Sequence, residues 1–100
     1  MKNFSEIMNL LEKNRDKIKQ YGVKKIGIFG SYVRNEQTNI SDIDIIVEFS
    51  KGEKTFDNYM NLKFFLEELL NFKVDLVIKE SIKPDLRKYI LRDVIHATGL

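Results

Sequence analysis

Two aspartates, Asp42 and Asp44, stand one residue apart at the entrance to an apolar run, Ile45-Ile46-Val47. Taking one carboxylate out of water is costly, and taking out two without a cation is worse. Residues 43 to 49, Ile-Asp-Ile-Ile-Val-Glu-Phe, read as a strand. In a strand, residues i and i+2 share a face about 6.5 Å apart, so Asp42 and Asp44 converge on one point from a rigid edge. Oxygen-only ligands of this kind suit Mg²⁺, which fills the rest of its shell with water and substrate phosphates. A two-metal centre, with ions about 3.5–4 Å apart, calls for a third carboxylate on a neighbouring strand. Asp75, inside Lys73-Val74-Asp75-Leu76-Val77, is placed to supply it.

The remaining pattern builds a fold around that edge. Residues 4–20 carry Phe4, Ile7, Met8, Leu11 and Ile18 at helical spacing. Asn3 with Glu6 makes a capping box, and Tyr21-Gly22 closes the helix. Residues 24–29 form a first strand, and a short helix starts near Ser31. A long helix over about 55–71 places Tyr59, Leu62, Phe65, Leu66 and Leu69 on one face, and Asn71 at its end takes the position where Gly is usual. Residues 72–79 make a third strand. Pro84 opens a last helix with a predicted buried stripe of Leu86, Tyr89, Ile90 and Val94, and Ala97 to Leu100 is expected to fray. The alternation predicts a single α/β (α+β) domain over residues 1–100, with a small mixed or parallel sheet of three or more strands and about four helices. The link between the first two strands is short enough for an antiparallel pair as well.

Composition narrows the setting. A hydrophobic fraction of 43% excludes a disordered chain, and 17 Lys and Arg against 15 acids is too even for nucleic-acid binding by bulk electrostatics. With no cysteine there are no disulfides or thiolate metal sites. No apolar run approaches the roughly 20 residues of a membrane span, and the amino terminus lacks the apolar stretch of a signal peptide. The expectation is a cytoplasmic protein. A core of this size leaves little surplus stability, so self-association or a partner would help it.

Gly30-Ser31 complements the carboxylates. Glycine permits close approach of a phosphate to the backbone, the start of the short helix aims N–H groups at it, and Ser31 adds a hydroxyl. Arg34, one turn on, has two readings of equal weight, a phosphate contact or a structural ion pair. Asn35 suits a left-handed turn. Glu48 shares the face of Asp44. The single histidine, His96, is assigned no role, and Arg87, Lys88 and Arg92 read as a solvated basic strip. The phosphate-loop and dinucleotide motifs are absent.

Gly30-Ser31-x-x-Arg34, then Ser41-Asp42-x-Asp44, then Asp75 on a separate strand, resembles the minimal nucleotidyltransferases of the polymerase-β-like superfamily, over nearly the whole chain. The resemblance implies that Asp42, Asp44 and Asp75 are the catalytic metal ligands for two Mg²⁺ ions, with Asp75 also helping to deprotonate an acceptor hydroxyl. It implies that Gly30 and Ser31, with Arg34, bind the nucleotide, ATP. It further implies a HEPN-domain toxin as partner, with AMP passed to a tyrosine of that partner and the chain acting as antitoxin. The alternative is an antitoxin that neutralises its partner by binding alone. A small-molecule nucleotidyltransferase would need an acceptor wall from a partner or second subunit.

Overall fold

The computed structural model describes residues 2–100. A mixed four-stranded sheet runs in the order β3-β2-β1-β4, with β1 Val23–Phe29, β2 Ile43–Phe49, β3 Val74–Ile78 and β4 Ile95–His96. Around it lie α1 Phe4–Lys13, α2 Arg15–Lys19, α3 Ser31–Arg34, α4 Phe56–Leu70 and α5 Pro84–Asp93, with a 3₁₀ turn at Lys79–Ser81. Strands β1 and β2 are antiparallel, the arrangement a short connection allows, whereas β2 and β3 are parallel and joined through α4.

Residue parity divides the sheet into two faces. Ile26 and Ile28 of β1, Ile43, Ile45 and Val47 of β2, and Val74 and Leu76 of β3 all point into the core. There they meet Ile7 and Leu11 of α1, Ile18 of α2, and Leu62, Leu66 and Leu70 of α4. Each fully buried side chain of this kind contributes roughly 1.5–3 kcal/mol. The opposite face carries Asp44, Ile46 and Glu48 of β2 and Asp75 of β3. On this face Gly27 leaves room for the chain that follows α5: a Cβ there would lie 2.9 Å from both Val94 Cγ1 and the Ile95 carbonyl oxygen.

The free edge of β3 is closed by α4. Because Ile43 N–H donates to the Lys73 carbonyl (3.0 Å), residues 73 and 75 direct their backbone groups toward β2, and Val74 and Leu76 direct theirs outward. The Val74 N–H donates to Glu67 Oε2 at 3.0 Å, and the Leu76 carbonyl accepts from the Tyr59 hydroxyl at 2.7 Å.

Four expectations are corrected. The helix expected over 4–20 is two, broken at Asn14 (φ −108°, ψ 20°), whose Nδ2 donates to the Leu10 carbonyl instead of continuing the helix. The third strand is shorter than 72–79. The tail does not fray: Ala97 is 2% exposed, its N–H donates to the Ile26 carbonyl, and Thr98 N–H reaches Glu12 Oε2. These bonds create β4. Helix α5 buries no residue completely, and Leu86 and Tyr89 are half exposed. The Tyr89 ring is covered instead by the cations of Lys88 and Arg92, 5.3 and 5.9 Å from its centre. The capping box at Asn3 and Glu6 and the left-handed conformations of Asn35 and Asn71 are present as read. Among the described residues no helix is long and apolar enough to cross a membrane.

Candidate active site

The sheet gathers the three aspartates at one end. Asp44 is the second residue of β2, Asp75 the second of β3, and the parallel register sets them directly opposite each other. Phe29, the last residue of β1, pairs with Asp44 from the other side, which delivers Gly30 and Ser31 to the same end. Asp42 lies two residues before Asp44, just after a turn locked by Thr38 and Ser41. In that turn Thr38 N–H donates to Ser41 Oγ at 2.9 Å, and Ser41 N–H returns to the Thr38 carbonyl at 3.1 Å.

Gly30 is required by both conformation and space. Its backbone has φ +78°, and a Cβ there would collide with the Asp44 carboxylate. The chain turns at this point directly into α3, and Asn35 ends that helix in the left-handed conformation.

Asp44 is half-buried, and its pKa is pushed up to about 6. Burial is the main cause, followed by the charges of Asp75 and then Asp42; Arg34 pulls weakly the other way. Asp42 and Asp75 are exposed to solvent. Three carboxylates held this near, with only the weak pull of Arg34 on Asp44, repel one another, and their donor chemistry fits a divalent metal with oxygen ligands. Asp44 and Asp75 are close enough for their carboxyls to share a hydrogen bond, but among the described residues no group of three or more His, Cys, Asp or Glu is drawn tightly enough to hold an ion.

Arg34 is engaged within the protein. Its Nε donates to Glu36 Oε1 at 2.5 Å and its Nη1 to Asp93 Oδ2 at 3.0 Å, so it ties α3 to the end of α5. Of its two readings, the ion pair is the one the structure contains. Asp93 is the residue that sequence reasoning missed. It lies 59 positions from Arg34 and carries no local signal of the contact. Tyr32, 1% exposed, lies beneath α3 with its hydroxyl buried and unpartnered; burial and then the charge of Asp42 raise its pKa.

The chain is similar to known proteins along most of its length. A Methanocaldococcus jannaschii protein provisionally named a protein adenylyltransferase is 49% identical over 98 residues, covering 96% of this chain and 99% of the relative. A solved structure provisionally described as a minimal nucleotidyltransferase superposes with a TM-score of 0.73 at 33% identity, over 88% of this chain and 93% of the other. A toxin–antitoxin crystal structure with AMP-PNP superposes with a TM-score of 0.69 at 26% identity, over 89% and 73%. The sequence profile of the nucleotidyltransferase domain matches residues 7–96, which span α1 through β4 and include Gly30, Ser31 and all three aspartates, and the chain therefore belongs to the nucleotidyltransferase domain family.

Proposed function

We propose that the chain is a Mg²⁺-dependent protein adenylyltransferase that passes AMP from ATP to a tyrosine hydroxyl of a HEPN-type toxin, and so acts as its antitoxin. The observation that carries this reading is Asp44: half-buried, opposite Asp75, two residues from Asp42, and with the weak pull of Arg34 outweighed by burial and the two acids. The reading is also supported by the adenylyltransferase name of a close relative and by likeness to a toxin–antitoxin pair crystallised with a nucleotide analogue.

Asp42, Asp44 and Asp75 would hold two Mg²⁺ ions, which supply charge neutralisation along the triphosphate and polarise its α-phosphorus. Gly30 leaves room for phosphate oxygens beside the backbone, and the Ser31 hydroxyl donates to one of them. Asp75, whose side chain is exposed on β3, accepts the proton of the acceptor hydroxyl. The hydroxyl oxygen bonds to the α-phosphorus, the bond to the bridging oxygen breaks, and pyrophosphate leaves. The absence of cysteine suits a cytoplasmic setting.

A second reading, neutralisation by binding alone, is favoured by one observation: Arg34 is already neutralised by Glu36 and Asp93. Incubating the chain and its HEPN partner with ATP and Mg²⁺, followed by mass spectrometry of the partner, separates the two. The expected result is an added adenylyl group on a partner tyrosine, lost in Asp44→Asn. Neutralisation of the toxin by Asp44→Asn as complete as by the native chain, with no adduct in either case, would select the binding reading.

A further inference from the structure

A cavity of about 380 Å³ opens beside Asp42, lined by Asn39, Ile40, Phe72 and Lys73 as well as by Asp42 itself. Its volume falls within the range of small-molecule sites, roughly 300–1,000 Å³. A larger hollow of about 480 Å³ adjoins it and shares Asn39 and Phe72, but none of the three aspartates lines it. The smaller cavity is thus the one continuous with the carboxylate cluster.

Its chemistry is specific. Phe72, at the bend between α4 and β3, is half-buried against the core and lines the cavity. Ile40, 90% exposed, lines the same cavity. Asn39 brings an amide, a donor and an acceptor side by side, and Lys73 brings an ammonium. Two apolar side chains and one amide match a flat heteroaromatic ring with a donor–acceptor edge. Asparagine pairs in this way with the N6 and N7 edge of adenine, and aromatic side chains are the usual platform for a stacked base.

We propose that this cavity is the base subsite of the nucleotide, with adenine packed between Phe72 and Ile40 and its edge read by the Asn39 amide. The proposal rests on the adenylyl-transfer reading above, and it assigns the choice of ATP over GTP to Asn39. The phosphates then extend from Asp42 toward Ser31, and Lys73 stands at the mouth on the ribose side. Guanine presents an acceptor where adenine presents its amino group, so the two-bond pairing of an amide with the adenine edge cannot form with it.

The test is calorimetric titration with Mg²⁺ of the native chain, Phe72→Leu and Asn39→Ala, using ATP, GTP and inorganic tripolyphosphate. Phe72→Leu keeps apolar bulk in the partly buried position, and Asn39 lies on an exposed turn, so both variants are expected to fold. In Phe72→Leu, ATP affinity should fall about tenfold while tripolyphosphate binding is unchanged. In Asn39→Ala, the preference for ATP over GTP should fall about tenfold. Native ATP affinity in both variants would overturn the proposal, as would an equal loss of ATP and tripolyphosphate binding in Phe72→Leu. Weakened binding of N-acetyltyrosinamide with ATP unaffected would assign the cavity to the acceptor instead, and also overturns it. A native chain that binds tripolyphosphate but shows no gain from the adenosine moiety removes the base subsite alone. A chain that binds neither removes the adenylyl-transfer reading with it.

Discussion

Asp44 and Glu48 point from the same face of the same strand, four residues apart, and they meet opposite surroundings. Glu48 accepts from Lys79 at 3.5 Å and Lys24 at 3.6 Å. Burial works against its charge, but the two lysines outweigh it and hold its pKa below the usual glutamate value. Asp44 has acids for neighbours, and burial together with Asp75 and Asp42 raises its pKa to about 6. An acid whose task is structural is neutralised from within the chain. One left uncompensated beside two others stores repulsion that a cation from outside can relieve, which is a common mark of a functional site.

The contrast can be broken first at Gly30. Gly30→Ala forces a side chain into the Asp44 carboxylate at a positive φ, with an expected loss of about 2–4 kcal/mol. Chemical denaturation should show it, and Mg²⁺-dependent ATP binding should be lost with it. A variant of native stability would mean that the approach of Gly30 to Asp44 constrains nothing.

The second test concerns pH. Because the Asp44 pKa is raised in the fold from 3.8 to about 6, the native state holds a proton that the unfolded chain releases. This group's contribution is therefore fully favourable below about pH 4 and is lost as pH rises toward 6. Replacing it with Asn should raise stability at pH 7.5 by about 1–2 kcal/mol, after discounting for its partial exposure. It should also flatten the stability profile between pH 4 and 6, while Mg²⁺ should raise the melting temperature of the native chain more than that of the variant. An unchanged profile would show that Asp44 is not under charge repulsion.

A smaller effect is expected at Tyr32. Its hydroxyl is buried without a partner, so Tyr32→Phe should stabilise the free chain by about 1 kcal/mol, measurable as a higher melting temperature. Destabilisation would show that the hydroxyl makes a bond in solution. Least of all should change in Glu48→Gln, within about 0.5 kcal/mol, because partly exposed pairs contribute little. A loss there as large as the gain at Asp44→Asn would erase the distinction between the two acids.

What could be read without coordinates was set by short-range pattern. The strand position of Asp44, the apolar flanks of Asp75, and the glycine before Ser31 each depend on a few neighbouring residues, and each appears in the fold where it was expected, whereas Asp42 lies just before the strand rather than in it. What stayed hidden depends on distant contacts. Asn14 breaks a helix whose periodicity continues past it. The Ile95–His96 strand exists because β1 offers a free edge and Glu12 holds Thr98. The pairing of Arg34 with Asp93 crosses 59 residues. Helix α5 has an apolar stripe by spacing, yet it is placed so that Leu86 and Tyr89 stay half exposed, a matter of orientation that periodicity does not encode.

The bonds that Tyr59 and Glu67 make to β3 bear on how a protein substrate can approach. A bare outer strand invites another chain to extend the sheet, which serves recognition and aggregation alike. Here an intruding strand would first have to displace a phenol from the Leu76 carbonyl and a carboxylate from the Val74 amide. Those two groups lie on the strand that carries Asp75. In the proposed reaction, a protein offering its hydroxyl to Asp75 would come in side chain first, over the face of the sheet, and could leave afterwards without unzipping a backbone ladder.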